Sequence, residues 1–457
     1  MKENIKIKST KRNIKNKKIS IVDNERIVRE ILSKRASGTI LGLSLLIPEY
    51  LRLGIWDLLA GWSGSNLTLG PRIAMQMVNE SALCINGIRP NRTISHQGFE
   101  LLNGLGYIAS DKTIHEILDK STIEQSKQLQ LALGKIRKQL GDYKSGVFII
   151  DPHKIVTHSG CITPKKIVSH DSKPKKVLQT FFCIDAISGQ PIGFIIGSSG
   201  RTVSNASDEL IDILLEIIPE GGLLLADSEH STVNILDRVN KESNLEAVVP
   251  APKNKKIKGY YEKINYVESL GMWTGYSIGS TLYHLGEMQD DIKLIIQRIQ
   301  QSKGIFNYKP FFSTESKTEN EFKKIVTEIF RDRWSIEEFF NFESALGWNR
   351  ASTLNLNIRY GKMTMGLIAQ AAIYKLRQKL SKPYRTWTAK HLAQSLFFST
   401  DGNIRVKNDT IIVTFYNFPK ELGIQEYYQN TPKKLQEEGI NPKIPWLYDF
   451  KIDFRFK

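Results

Sequence analysis

The sequence predicts an α/β core built on a mixed sheet, preceded by an all-helical region. Three observations predict it. Apolar residues recur at helical spacing through residues 23–140. From Ser145 the pattern changes to short apolar runs of strand length. Two of those runs, Val147–Asp151 (V-F-I-I-D) and Leu223–Asp227 (L-L-L-A-D), end on an aspartate. A chain of 457 residues exceeds one compact core and is expected to form two to four domains.

Residues 1–22 carry eight basic side chains against the single acid Glu3 and have almost nothing to bury. They read as a disordered basic arm, either in contact with DNA or simply a solvated tail. Residues 23–140 read as a helical DNA-binding region. Ile40, Leu43 and Ile47 mark a helix ending near Pro48, and Leu51, Ile55, Leu58 and Leu59 mark another. Ser95 to Leu105 is expected to be a helix, with a turn at Gly104 and Gly106. Ser110 can then cap a second helix with Ile114, Ile117 and Leu118 on one face. This is the pattern of a helix-turn-helix, which would project Lys112, Thr113 and His115 towards a major groove. A plain helical bundle has the same pattern.

Residues 141–380 form the expected α/β domain. After Asp151 come two strands, Thr180–Asp185 and Pro191–Ile196, joined at Ser188–Gly189. A helix over 204–218 follows, then the Leu223–Asp227 strand, a helix through Val233, Ile235, Leu236 and Val239, and a strand from Ala247 to Pro250. Strands, helix, strand and helix in this order predict a mixed sheet with flanking helices. Residues 251–305 read as a β-rich insertion. Long helices are expected over about 319–346 and 361–380. Residues 381–457 read as an appendage containing a hairpin, Ile404–Val406 with Ile411–Tyr416, turning at Asn408–Asp409.

Lys and Arg outnumber Asp and Glu by 64 to 47, for a formal charge of +17. Such a balance points to a polyanionic partner. The most apolar stretch, Gly38 to Trp62, is broken by Glu49, Arg52 and Asp57, so no membrane span is expected. Three scattered cysteines give no disulfide framework and fit a reducing cytoplasm. Nucleic acid is the expected partner.

Active sites collect at strand ends in α/β sheets, and a Mg²⁺ ion takes one or two protein carboxylates plus phosphate oxygens. Asp151 and Asp227 are therefore candidate metal ligands, though strands also end on Asp merely to start a turn. The segment Phe330 to Phe340 supplies a third carboxylate. Phe330, Arg333, Glu337 and Ser344 would share one helix face, with Arg333 and Glu337 one turn apart. Trp334, Ile336, Phe339 and Phe340 give this helix apolar flanks, which predicts burial and hence a paired or metal-bound charge at Glu337. Glu338 is the rival acid.

The run R-W-x-I-E-x-F-F, Arg333 to Phe340, resembles the signature of the insertion-sequence transposases with an Asp-Asp-Glu triad, of the insertion-sequence-four-like group. In that family a helix carries Tyr, two residues, Arg, three residues, the catalytic Glu, six residues and Lys. Arg333 and Glu337 match by spacing. Phe330 stands at the Tyr position and Ser344 at the Lys position, where the family's Lys is thought to touch DNA phosphate. Arg350, Arg359 and Lys362 are candidates to replace that contact. The resemblance covers about residues 145–380. It implies an RNase-H-like catalytic domain with Asp151, Asp227 and Glu337 as catalytic metal ligands, Arg333 beside them, and two Mg²⁺ (or Mn²⁺) ions. It also implies a transposase acting on terminal inverted repeats and target DNA as a homodimer in a prokaryotic cytoplasm, at the nucleoid. An RNase-H-like nuclease without strand transfer and a catalytically inactive DNA-binding regulator are the alternatives.

Four further features stand apart. Lys253, Lys255, Lys256 and Lys258, followed by Tyr260 and Tyr261, suit a DNA backbone with base stacking, or a solvated loop. His153, His158 and Cys161, with His170, have spacing that could begin a zinc site. Asp185 reads as a turn acid and Glu229 as a solvated one.

Overall fold

The structure is a computed structural model. It describes residues 19–34, 36–38, 40–65, 67–85, 98–158, 164–168, 173–242, 244–268, 275–314, 324–349, 353–416 and 418–457. Most of the basic arm, Cys161, His170, Arg350 and the start of the expected Ser95–Leu105 helix lie outside them. The chain divides into two compact units. One comprises residues 1–129 with 342–457, and the other residues 130–341.

The strands in chain order are β1 (Ala36–Gly38), β2 (Val147–Val156), β3 (Lys165–Lys166), β4 (Lys175–Asp185), β5 (Pro191–Ser198), β6 (Gly222–Ala226) and β7 (Leu245–Pro250). They continue as β8 (Val267–Glu268), β9 (Tyr276–Tyr283), β10 (Ile292–Ser302), β11 (Ile305–Ser313), β12 (Gly402–Lys407), β13 (Thr410–Phe415) and β14 (Lys451–Phe456).

The 130–341 unit is a mixed α/β body around one ten-stranded sheet, ordered β3-β4-β2-β6-β7-β11-β10-β9-β8, with β5 also on β4. β2, β4 and β5 form an antiparallel meander, whereas β6 and β7 run parallel to β2. The five-strand order β5-β4-β2-β6-β7 is that of an RNase-H-like sheet. β4 and β5 are buried almost throughout and accordingly read as near-continuous apolar runs. The helix Val203–Ile217 lays Leu210, Leu214 and Ile217 on a core with Phe148, Phe181 and Leu224. A Cβ at Gly134 would lie 2.4 Å from Ile217, so only glycine lets the helix Ile123–Gln139 approach this closely. Arg137 and Asp142, both about 1% exposed, pair at 3.1 Å, and Arg137 also donates to Gln190 Oε1 and the Pro191 carbonyl. That fork ties the helix end to the start of β5. Residues 251–305 do not stop the sheet: after a short helix, Lys255–Lys258, strands β8 to β11 extend it through the antiparallel β11–β7 pair.

The expected single helix over 319–346 is corrected. Among the described residues it is a helical turn over 324–327, a 3₁₀ segment, Ile329–Trp334, then an α-helix, Ser335–Glu343, then a 3₁₀ turn, Ser344–Leu346, stopped by Gly347 in the left-handed region. The cause is anchoring at two places. Phe330 packs edge-on against Phe311 of β11, and Phe339 and Phe340 pack on Phe182 of β4. A single uniform pitch does not serve both anchors.

The other unit is helical, with a small sheet β1-β12-β13-β14. The β12–β13 hairpin turns at Asn408 and Asp409, with Asn408 at φ 57°. Ser110 caps the helix Asp111–Lys120 by accepting from the Thr113 N–H at 3.2 Å, and Ile114 and Leu118 are buried. The helix before it is corrected to a single turn, Phe99–Leu102. Gly98, at φ 75°, precedes that turn, and Asn103 donates its side chain back to the Phe99 carbonyl, which closes it. The two-helix motif expected at this position is therefore incomplete among the described residues. Glu49 is wholly buried, pairs with Arg52 at 3.0 Å and with Lys379, and accepts from the Tyr428 hydroxyl at 2.7 Å. Thus the charge that breaks the apolar N-terminal stretch is a structural tie. Among the described residues no helix is long and apolar enough to cross a membrane.

Candidate active site

Asp151 does not end its strand, as the sequence suggested; β2 runs on to Val156. Instead it stands where one pairing stops. The parallel β2–β6 ladder closes at Ile150 opposite Ala226, while the antiparallel β2–β4 ladder continues past Asp151 opposite Phe182. Asp227 follows directly on the last residue of β6, so the two aspartates leave neighbouring strands at one level. Asp227 also caps the 3₁₀ turn Ser228–His230 by accepting from the Glu229 N–H at 2.9 Å.

The Glu337 helix comes to this place through its rings. Phe339 and Phe340 sit 5.5 Å from Phe182, the cross-strand partner of Asp151, and Phe340 stacks on His153 at 4.6 Å. Arg333 then reaches both sides: its guanidinium lies 3.9 Å from Asp151 and 3.5 Å from Glu337. Arg333 and Asp151 side chains are each 18% exposed, whereas Glu337 is 42% exposed. Glu338 faces solvent. Trp334, expected among the burying flanks, is 60% exposed; the 3₁₀ pitch turns it outwards, and only Ile336 and Phe339 are fully buried.

Electrostatically the three acids form one cluster. Burial pushes the Asp151 carboxyl up to about 7, the neighbouring Asp227 and Glu337 charges add to this, and Arg333 and His230 oppose it. Asp227 is held below its ordinary value. Burial works against its ionised form but is outweighed by the hydrogen bond and charge of His230, the Glu229 N–H and Arg333. So the ionised form of Asp227 is favoured, while burial and the neighbouring acids disfavour that of Asp151. Among the described residues no three His, Cys, Asp or Glu side chains close into a ready metal shell. Arg333 stands between Asp151 and Glu337.

Sequence reasoning missed His230. It is 1% exposed, with Nδ1 2.7 Å from Asp227 Oδ1. A carboxylate only accepts, so Nδ1 carries the proton. Nε2 is buried without a hydrogen-bond partner among the described residues. The signal was its place three residues beyond a strand-end aspartate.

The remaining candidates separate. Lys253, Lys255, Lys256 and Lys258 are exposed, and Ile257 anchors their short helix. Of the tyrosines that follow, Tyr261 stacks on Tyr308 at 4.3 Å and Tyr260 packs against Tyr283 at 5.7 Å. A cavity of about 520 Å³ beside Arg333 is lined by Lys253, Tyr276, Lys309, Phe330 and Trp334 among others. Lys112 and His115 are exposed, and Thr113 is half-buried. His153 stacks its ring on Phe340, and Cys161 and His170 of the candidate zinc set lie outside the described residues. Asp185 is the turn acid expected, accepting from Ser145 and Ser188 backbone and hydroxyl groups. Glu229 is not simply solvated; it pairs with Lys154 at 3.1 Å.

The sequence profile of the transposase DDE domain matches residues 142–371. No match is found among curated proteins. Among solved structures, the chain is similar to the piggyBac transposase synaptic complex with hairpin DNA, seen by cryo-electron microscopy. The identity is 12%, with 80% of this chain and 82% of that one covered at a TM-score of 0.41. The profile spans just over half of the chain and includes Asp151, Asp227, Arg333 and Glu337, so this protein belongs to the family of transposases with a DDE domain.

Proposed function

We propose that the chain is the transposase of an insertion sequence of the insertion-sequence-four-like group, binding terminal inverted repeats and catalysing metal-dependent strand cleavage and strand transfer. Asp151, Asp227 and Glu337 are its metal ligands. The observation that carries this reading is that Asp151 and Asp227 leave neighbouring strands at one level, with Arg333 joining Asp151 to Glu337. A cluster of hard oxygen donors short of positive charge fits divalent cations such as Mg²⁺ or Mn²⁺. Two such ions, when bound, activate an attacking oxygen and stabilise a leaving 3′ oxygen.

The chain's own residues do the rest. Arg333 holds the acidic cluster together until metal and DNA arrive, and then positions Glu337 or a phosphate. Water attacks first and frees a 3′ hydroxyl, which attacks target DNA. Lys253, Lys255, Lys256 and Lys258 meet DNA backbone, and Lys112, Thr113 and His115 meet the terminal repeat. Two copies pair the two ends, at the nucleoid of a prokaryotic cytoplasm.

The test is a supercoiled plasmid carrying the flanking repeats of the gene. With Mg²⁺ or Mn²⁺ the protein nicks at the repeat ends and joins them to a second duplex. Cutting without joining makes it a nuclease. Binding without cutting makes it an inactive regulator, a reading that the intact triad opposes and Ser344 at the family's Lys position keeps open.

His230 acts as a positioning residue, because its Nδ1 and the Glu229 N–H both engage Asp227 Oδ1 and leave Oδ2 for a metal. His230→Leu is expected to weaken Mn²⁺ binding, read by electron paramagnetic resonance, by roughly 10–100-fold. His230→Asn, whose amide N–H replaces Nδ1–H, should recover most of it. Equal binding by both variants and the wild type would refute this role.

A further inference from the structure

Between Glu343 and Asp401 the chain holds nine Lys and Arg residues and no Asp or Glu. Three of the nine are committed to the interior. Arg377 pairs with Glu343, Lys379 pairs with Glu49, and Arg359 is 3% exposed. Lys382, Arg385 and Lys390 are exposed, together with His391, and none of the three cations has an ion pair among the described residues.

These cations are carried on a fixed ridge. Tyr384 meets Trp387 edge-on at 5.1 Å, and Trp387 stacks on His391 at 4.5 Å with the rings 13° apart. The Trp387 N–H donates to the Tyr384 carbonyl, Thr388 accepts from the His391 N–H, and Arg385 Nε donates to the Leu380 carbonyl at 2.7 Å. The backbone is therefore braced, and the charges are held out without counter-ions among the described residues. That arrangement has an electrostatic cost to the folded chain that a polyanion would relieve.

We infer that Lys382, Arg385 and Lys390, on the Tyr384–Trp387–His391 ridge, form a further DNA contact surface that grips the duplex phosphate backbone without reading sequence. Lys and Arg supply most backbone contacts in protein–DNA complexes, and these fix register rather than specificity. The inference rests on the transposase reading only for its partner. Its geometry belongs to the unit of residues 1–129 and 342–457, not to the acidic cluster.

The test uses the full chain and duplexes of about 40 base pairs, one random and one carrying the terminal repeat, over a KCl series. Each lost phosphate contact lowers the slope of log K against log salt by about 0.9. Lys382→Ala/Arg385→Ala/Lys390→Ala should thus flatten the slope by about 2–3 and weaken both duplexes alike. Lys382→Arg/Arg385→Lys/Lys390→Arg should restore it. If the triple alanine variant melts early, the single changes Lys382→Ala and Lys390→Ala each give about one contact's worth. An unchanged slope overturns the inference. So does loss confined to the repeat duplex, or patch-dependent binding to phosphatidylserine vesicles with DNA binding intact. Nicking in the same preparations reports on the transposase reading separately: the slope effect stands or falls whether or not the protein cuts.

Discussion

Asp151→Asn, Asp227→Asn and Glu337→Gln each bring metal-dependent nicking at the repeat end down to background. Each amide keeps the shape of the side chain and removes one anionic ligand. Losing a group that merely supports a ligand costs 10–100-fold, so losing the ligand itself should exceed about a hundredfold. DNA binding survives and tightens, because the site loses a charge that repels phosphate. Glu338→Gln is the internal control; its side chain faces solvent and activity should persist. Near wild-type cutting by any of the three amides would sink the mechanism. The same reading sets the pH response. With Asp151 raised from 3.8 to about 7, the metal-free fold holds a proton there that the unfolded chain has lost. Between those values this proton favours the fold, and its contribution disappears as pH rises through 7. Metal binding must expel it, so apparent metal affinity falls as pH drops below 7.

Arg137→Ala is expected to destabilise the catalytic unit by about 3–5 kcal/mol, since it removes the guanidinium that pairs with the buried Asp142 carboxylate. Four groups each lose a contact with Arg137 at once: Asp142, Gln190, the Pro191 carbonyl and the ring of Tyr143. The melting transition of this unit should drop by several degrees and the urea midpoint should fall. A shift within about 0.5 kcal/mol, the range of ordinary surface changes, would mean that the pair contributes nothing net. Arg137→Met with Asp142→Leu tests the complementary point. Removing both charges in matched volume should cost much less than removing one.

The strand with V-F-I-I-D and the strand with L-L-L-A-D were legible because apolar runs buried on both faces leave a strong pattern. Their pairing was not, because parallel register depends on residues far apart in the chain. That Asp151 sits at the end of one ladder but in the middle of another is visible only with β4 in place. The R-W-x-I-E frame located Arg333 and Glu337, yet helical spacing alone put Trp334 inside, where the 3₁₀ pitch at Ile329–Trp334 turns it out. His230 carried no pattern. A single imidazole acquires meaning from the carboxylate 2.7 Å away, a tertiary fact. The Tyr260–Tyr261 pair was read as available for bases because composition cannot tell an aromatic that stacks on a neighbour from one that waits for a ligand.

The interleaving of the two units has a consequence for how the protein is made. The catalytic body occupies residues 130–341, whereas the other body draws on both 1–129 and 342–457. Its small sheet joins Ala36–Gly38 to Gly402–Lys407 and ends on Lys451–Phe456, paired alongside Thr410–Phe415. During translation the catalytic body can therefore finish folding while the earlier segment still waits, with apolar helices exposed, for partners more than 350 residues downstream. Domains generally fold as units as they emerge from the ribosome. Here the order is inverted, and the segment before the catalytic body is completed by strands that follow it. A polypeptide released before those strands would possess a folded catalytic body but not the completed unit that carries Lys382, Arg385 and Lys390.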